Sequence, residues 1–220
     1  MAIIKLINKR IIKEIGWIIS GGKEAMVLSA EGYDRELAVK VYRVTVTFFK
    51  DMAPYIEGDK RFSKVKKRRK LINMWASKEY RNLKRLSKAG VRVPEPIALE
   101  QNVLVMAFIG KNGNPAPLLK DVVLDNPEEI LRDILENIRR GVLNGRIVHG
   151  DLSEYNIMIH NGKPYFIDVG QAVLLDHPRA REFLERDIKN VLNYFKRKYG
   201  IIKPTFEEVY NYIIGRGSLE

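Results

Sequence analysis

The spacing of apolar positions changes along this chain, and the change divides it. Between residues 15 and 42, short apolar runs alternate with polar residues, as half-buried strands do. Residues 15–19, 25–30 and 36–42 are predicted strands, the last with Val39 and Val41 on either side of Lys40. From residue 71 to 89 the pattern turns helical. Ile72, Trp75, Tyr80, Leu83 and Leu86 form an imperfect stripe, and Gly90 is a natural stop. Glu79 sits beside that stripe, either facing solvent or turned inward to pair with a strand lysine. Val93-Pro94-Glu95-Pro96 breaks the pattern, and residues 97–99 and 103–108 then read as strands. After a breaker-rich segment at 110–117, Pro127 and Gly145 bracket a helix in which Ile130, Ile134, Ile138 and Val142 recur at helical spacing. Residues 178–199 are predicted helical on Phe183, Val191, Leu192 and Phe195. A last helix starts at Thr205 with a capping box to Glu208 and ends near Gly215. Strands dominate the first half and helices the second, so the expected class is α+β, with a ligand cleft at the joint.

The stretch 147–171, IVHGDLSEYNIMIHNGKPYFIDVGQ, is organised differently. Two apolar runs flank Asn161-Gly162, the strongest short-range signal for a two-residue hairpin turn, because both central residues take positive φ. With His160 and Lys163 flanking that turn, Asn156 stands opposite Ile167. Asp168 then emerges beside Asn156 at the open end, and Asp151 lies on the loop feeding the first strand. A carboxylate and an amide oxygen side by side suit a hard cation such as Mg²⁺ or Mn²⁺, with substrate phosphates and water completing its shell. Asp151 is placed to take a proton from an incoming hydroxyl. Phosphoryl transfer asks little more of a protein than positioning and charge neutralisation. Taken singly, the pieces have plainer readings. A loop aspartate is most often a turn or cap residue, Asn161 is turn chemistry, and His149 holds the loop by hydrogen bonds. His160 and His177 add no zinc-like spacing. The combination is poorly explained by chance.

Composition narrows the setting. Lys and Arg number 39 against 27 Asp and Glu, a net charge of +12, which favours a polyanionic partner or an anionic substrate. There is no cysteine, which excludes disulfides and thiolate chemistry and fits a cytoplasmic protein. No apolar run approaches the length that crosses a bilayer, so no membrane partner is expected. The basic amphipathic opening, residues 1–16, is expected to pack on the core as a helix or strand. Residues 45–70, ending in Lys66-Lys67-Arg68-Arg69-Lys70, read as a long, partly mobile insertion. Ser20-Gly21-Gly22-Lys23-Glu24 is a turn whose glycines let backbone N–H groups surround an anion, with a lysine adding charge. Most Gly-Gly turns are simple hairpin turns.

HGDLSEYN and FIDVG resemble the catalytic loop H-R-D-x-x-x-x-N and the D-F-G of protein kinases, and LAVK, ending at Lys40, is similar to V-A-I-K. SGGKEA, WASKEYRNL, GVRVPEPIA, VLVMAFIG, PAPLLKDV, VHGDLSEYNIMIHNG and YFIDVGQAV resemble, in order over residues 15–197, the RIO family of atypical serine/threonine protein kinases, archaeal-like and of the type-one subfamily. The resemblance implies a bilobal protein-kinase-like fold: a mainly β N-terminal lobe with one helix C over 1–106, a hinge at 107–116, and a helical C-terminal lobe over 117–220, truncated after the metal-binding loop. It implies ATP with Mg²⁺ or Mn²⁺. Lys40 would hold the α- and β-phosphates, oriented by Glu79, under the backbone of Ser20, Gly21, Gly22, Lys23, Glu24 and Ala25. Met106 would be the gatekeeper, with main-chain groups of Ala107 and Ile109 reading the adenine edge. Asp151 would be the base, and Asn156 and Asp168 would hold the metal. Asp168 is also implied as a phosphate acceptor in an aspartyl-phosphate ATPase cycle. The implied setting is small ribosomal subunit maturation, with the pre-ribosomal particle, its rRNA and its proteins, as partner.

The chain departs from the kinase pattern in four places. Gly21 stands where the family loop carries threonine, Ala107 where the hinge carries glutamate, and Gly150 where H-R-D carries arginine. No A-P-E motif follows Asp168, so the peptide-docking helices of ordinary protein kinases are expected to be missing, and only residues 1–14 precede the first strand, too few for the N-terminal domain of the type-two subfamily. Two other functions use the same motifs: a small-molecule kinase of aminoglycoside-phosphotransferase type, and a ribosome-binding module switched by nucleotide. SGGKEA and the 45–70 insertion argue against the former.

Overall fold

A computed structural model describes residues 2–22, 24–43, 55 and 68–219. The chain forms two compact units, residues 1–84 with 94–116 and residues 85–93 with 117–220.

The first unit is built on a five-stranded antiparallel sheet in the order β1-β2-β3-β5-β4. Its strands are β1 (Glu14–Gly21), β2 (Ala25–Glu31), β3 (Glu36–Tyr42), β4 (Pro96–Glu100) and β5 (Val103–Ala107). β3 lies at the centre, and successive side chains point to opposite faces. Leu37 and Val39 therefore enter one apolar cluster with Val103, Val105, Ala30 and Leu6, and Lys40 faces the other way. The opening segment is a short helix, α1 (Ala2–Asn8), with Leu6 and Ile12 buried against that cluster. A register shift between Ile15 and Ile18 leaves Gly16-Trp17 bulged opposite Ser29. The Ser29 hydroxyl fills the bulge, accepting from Trp17 N–H at 2.9 Å and donating to Trp17 C=O at 3.2 Å. A Cβ at Gly16 would lie 2.4 Å from that oxygen, so the bulge requires glycine there.

Helix α2, described over Arg68–Lys88, includes three residues ahead of the apolar pattern, basic helix formers with no apolar signal. The breaker-rich segment holds a hairpin that the pattern does not reveal, β6 (Gly110–Lys111) with β7 (Asn114–Pro115). Its turn is a second Asn-Gly pair, Asn112 and Gly113 with φ of 53° and 73°.

The second unit packs α3 (Pro127–Leu143), α4 (Ala180–Tyr199) and α5 (Phe206–Ile213) around two small antiparallel pairs. These are β8 (Ile147–Val148) with β11 (Val173–Leu174), and β9 (Ile157–His160) with β10 (Lys163–Phe166). Ile130, Ile134, Ile138 and Val142 of α3 are buried as their spacing predicts. The capping box is present: Thr205 Oγ1 accepts from Glu208 N–H, and Glu208 accepts from Thr205 N–H at 2.6 Å. Among the described residues, no helix is long and apolar enough to cross a membrane.

Candidate active site

In the first unit the strand lysine finds its acid. Lys40 Nζ lies 3.0 Å from both carboxylate oxygens of Glu79 and 5.2 Å from the centre of the Tyr42 ring. Glu79 is 1% exposed, so of the two readings of this residue the structure takes the inward one. Its helix buries a broad face, with Ile72, Trp75, Ala76 and Leu83 alongside Lys78 and Asn82. A buried carboxylate of this kind is tolerated because a cation and hydrogen bonds compensate its lost hydration. Tyr42 and Ala38 share the Lys40 face of β3 by parity.

Ser20 and Gly21 belong to the end of β1, paired with Val27 and Met26. Gly22 N–H donates to Ala25 C=O at 2.9 Å, which closes the turn between β1 and β2, and Glu24 C=O accepts from Arg43 N–H at 2.8 Å, just past the end of β3. Lys23 lies outside the described residues, as does most of 45–70. A Cβ on Gly21 would touch nothing, and neither Gly21 nor Gly22 has positive φ. Met106 pairs with Ala38 and Pro96. Ala107 N–H is engaged by Glu95 C=O at 2.8 Å, and Ile109 C=O accepts from Ala116 N–H at 2.9 Å.

The second unit carries the loop and hairpin. His160 pairs with Lys163 around Asn161 and Gly162, whose φ values are 51° and 68°. Ile167 N–H donates to Asn156 C=O at 3.0 Å, the register that the turn predicts. Asp168 follows at once in the left-handed region, φ 57° and ψ 54°, which turns the chain out of the strand. Asn156 Nδ2 donates to Asp151 C=O at 2.7 Å and to Asp151 Oδ2 at 3.3 Å. With both donations made by nitrogen, the amide presents its oxygen as an acceptor. Burial raises the Asp151 carboxyl above the ordinary range, helped by the nearby charge of Asp168 and opposed by Arg186 and the Asn156 hydrogen bond.

His149 holds the loop as expected. One ring nitrogen, Nε2, reaches Ile167 C=O at 3.0 Å, and the other, Nδ1, accepts from Asp151 N–H at 3.3 Å. A ring that donates through one nitrogen and accepts through the other is neutral. Burial lowers its pKa to about 4, in agreement.

The loop has a second anchor that the sequence reading missed. Asp187 of α4, 1% exposed, accepts from Gly150 N–H at 2.7 Å on one oxygen and from Leu152 N–H at 2.9 Å on the other. Asn190 Nδ2 donates to Leu152 C=O at 3.1 Å, and Arg186 donates to Gly150 C=O. The residues on both sides of Asp151 are thus fixed by one helix. Burial pushes the Asp187 carboxyl up to about 7 against these two hydrogen bonds. A polar residue on an amphipathic helix reads as surface, so only the odd placement of Asp187 beside Ile188 and Leu184 carried any signal.

The donor set fits a hard cation only in part-protein form. Among the described residues, no three His, Cys, Asp or Glu side chains converge. An amide oxygen and one carboxylate, Asn156 and Asp168, suit an ion that takes its other ligands from phosphate and water.

A central strand lysine held by a helix acid, and an Asp–Asn loop leading into a hairpin and a further Asp, are the marks of the protein-kinase-like class, and the fold is α+β of that kind. A family model of the RIO domain matches residues 26–209, and the chain belongs to the RIO domain family. It is 45% identical over 202 residues to the RIO-type serine/threonine-protein kinase Rio1 of Haloferax volcanii, covering 90% of this chain and 68% of that protein. It is 42% identical over 219 residues to human serine/threonine-protein kinase RIO1, covering 97% of this chain and 38% of that one. Among solved structures, the Rio2 kinase–ADP/Mg²⁺–phosphoaspartate complex from Chaetomium thermophilum superposes with a TM-score of 0.75 at 22% identity, covering 98% of this chain and 65% of that chain. The chain therefore spans well under half of the human protein and about two thirds of the other two.

Proposed function

We propose that the protein transfers the γ-phosphoryl group of ATP, with Mg²⁺, as a serine/threonine kinase or as an ATPase. The observation that carries this reading is the orientation of Asn156, whose nitrogen is spent on Asp151 and whose oxygen is left to face a cation. Mg²⁺ bound there neutralises phosphate charge and aligns the transferring group. Lys40, oriented by Glu79, holds the α- and β-phosphates, and the Ser20–Ala25 backbone covers them. Main-chain groups of Ala107 and Ile109 meet the adenine edge, beside Met106. Asp151 accepts the proton of the attacking hydroxyl, a role its raised pKa suits.

Asp168 gives the same site a second outcome. Its carboxylate oxygen attacks the γ-phosphorus, the bond to the ADP oxygen breaks, and water later hydrolyses the acyl phosphate to aspartate and phosphate. The phosphoaspartate of the Chaetomium thermophilum Rio2 complex supports this course. Action on the small-subunit pre-ribosomal particle is the setting that the family resemblance favours, and the net charge of +12 is compatible with it.

The test is incubation with γ-labelled ATP and Mg²⁺, comparing wild type with Asp151→Asn and Asp168→Asn. Loss of a group acting in the transition state lowers the rate by roughly 10²–10⁴-fold. Hydroxylamine-labile label that disappears in Asp168→Asn identifies the acyl phosphate. Wild-type turnover in Asp151→Asn would remove the base assignment, and absence of nucleotide binding would end the reading. Particle association is checked separately by sedimentation with small-subunit precursors in both nucleotide states.

A further inference from the structure

Helix α2 has a face that the phosphotransfer site does not use. Arg69, Lys70, Arg81, Lys84, Arg85 and Lys88 are all exposed, and the last four fall at i, i+3, i+4 and i+7, one stripe along a single helix. The only acid on this helix is Glu79, which is 1% exposed and engaged by Lys40. Several surface cations elsewhere sit against carboxylates: Lys5 and Lys9 on Glu100, Arg181 on Glu185, Arg197 on Glu154. The six cations of α2 meet no carboxylate among the described residues. Arg81 donates to Ser77 C=O, Arg85 donates to Gly145 C=O at 3.1 Å, and Lys84 lies 4.5 Å over the Tyr80 ring. Like charges at i, i+3 and i+4 repel; the helix dipole favours Arg85 and Lys88 in the last turn, so the cost falls on the Arg81 and Lys84 end of the stripe.

The face also lacks what a protein partner needs. None of the exposed large hydrophobic residues among those described lies on α2, whereas protein interfaces are anchored by a desolvated apolar or aromatic centre. A phosphate backbone needs only cations at repeated spacing, and at 1.5 Å per residue the stripe from Arg81 to Lys88 runs about 10 Å, enough for neighbouring phosphates of one strand.

We propose that the outer face of α2 is a docking surface for the phosphate backbone of nucleic acid, engaged without regard to base sequence. The inference stands on the charge distribution of α2 and on neither the nucleotide site nor the particle reading.

The experiment measures binding of a labelled RNA duplex of about twenty base pairs to the full chain as salt is varied. Wild type is compared with the triple variant Arg81→Gln, Lys84→Gln, Lys88→Gln, and with Lys5→Gln, Lys9→Gln, which removes cations already held by Glu100. The log–log salt slope of the triple variant becomes shallower by about 2–3, and its Kd at about 0.1 M salt rises at least ~10-fold. The Lys5, Lys9 variant binds as wild type does. Keeping the charge with Lys84→Arg and Lys88→Arg retains affinity. ATP turnover in the triple variant stays at the wild-type level, so failure here is distinct from failure of the phosphotransfer reading. Equal affinity and slope in wild type and triple variant would overturn the proposal. So would competition by poly-glutamate as effective as that by unlabelled RNA, which would assign the face to an acidic protein.

Discussion

Replacing Asp187 by asparagine should separate catalysis from stability. Each oxygen of the carboxylate accepts one backbone N–H, from Gly150 at 2.7 Å and from Leu152 at 2.9 Å, at a site where Asp187 is 1% exposed. An asparagine offers one oxygen and one NH₂, so one backbone donor loses its acceptor and faces another donor. Losing a charge-assisted bond costs about 1.5–3 kcal/mol and stranding a buried donor about 1–3 kcal/mol more. Against this, burial holds the native carboxyl up at about 7 even with both bonds made, and asparagine brings no buried charge. The two effects oppose each other, so the loss of stability should stay below about 3 kcal/mol. Geometry does not cancel. Gly150 and Leu152 flank Asp151, the proposed base, and a shift of the order of 1 Å in such a group lowers rates by about 10². Denaturant unfolding at pH 7 gives the first quantity. Single-turnover phosphoryl transfer gives the second, with nucleotide affinity as a control expected to stay near wild type. A variant that turns over at the wild-type rate, or one that loses nucleotide binding together with rate, would refute the positioning role of Asp187.

The remaining predictions are more direct. Glu79→Gln removes the charge facing buried Lys40 and should cost about 3–5 kcal/mol of stability, with weakened nucleotide binding, both read by thermal unfolding with and without ATP. His149 takes a proton at about 4 when folded and near 6.5 when unfolded. Its contribution is therefore intact above pH 6.5 and is lost as pH falls toward 4, about 3 kcal/mol in all. Asp187 acts in the opposite sense between 7 and 3.8, so the His149 effect is measured as wild type minus His149→Gln across that range. The Asp151 carboxyl is held above the ordinary range in the free protein, so kcat/KM should decline on acidification at a pH higher than a solvent-exposed aspartate would give. Gly21→Thr, at a strand-end position with open space and no positive φ, should be tolerated and raise stability by up to ~1 kcal/mol through reduced chain entropy, with Tm as the readout.

What sequence could show depended on whether a residue acts through a local pattern or through a distant partner. The hairpin at 157–166 was legible because Asn-Gly fixes the turn and the turn fixes the register, from Lys163 opposite His160 to Ile167 on Asn156. Lys40 was legible because period-two alternation on a central strand singles out a charge between valines. The Glu79 position was visible, but its direction was not, since stripe and flank differ by a single residue. The Asp187 anchor was hidden for another reason: its partners are backbone N–H groups more than thirty positions away, which leave no trace in composition. The Gly16 bulge depends on the Ser29 hydroxyl across the strand pair, and no local rule points to it. The Asn112-Gly113 hairpin lacks apolar flanks, so the dipeptide read as a simple breaker.

The β9–β10 hairpin has a consequence for how an acceptor can arrive. Along β9, Ile159 N–H is taken by Pro117 C=O at 2.9 Å and Met158 bridges Leu118. Along β10, Phe166 N–H goes to Arg92 C=O at 2.9 Å, and Arg92 Nε caps Pro164 C=O at 3.0 Å. Both margins of the ribbon that bears Asn156 are already hydrogen-bonded within the second unit. A polypeptide extending this ribbon by strand addition, one way an extended chain is read by its backbone, would have to displace these bonds. Under the proposed function, the acceptor at Asp151 would be presented by means other than strand addition to this ribbon, such as a loop or a folded surface. Selection would then fall on the shape of what carries the hydroxyl rather than on a linear stretch of sequence around it.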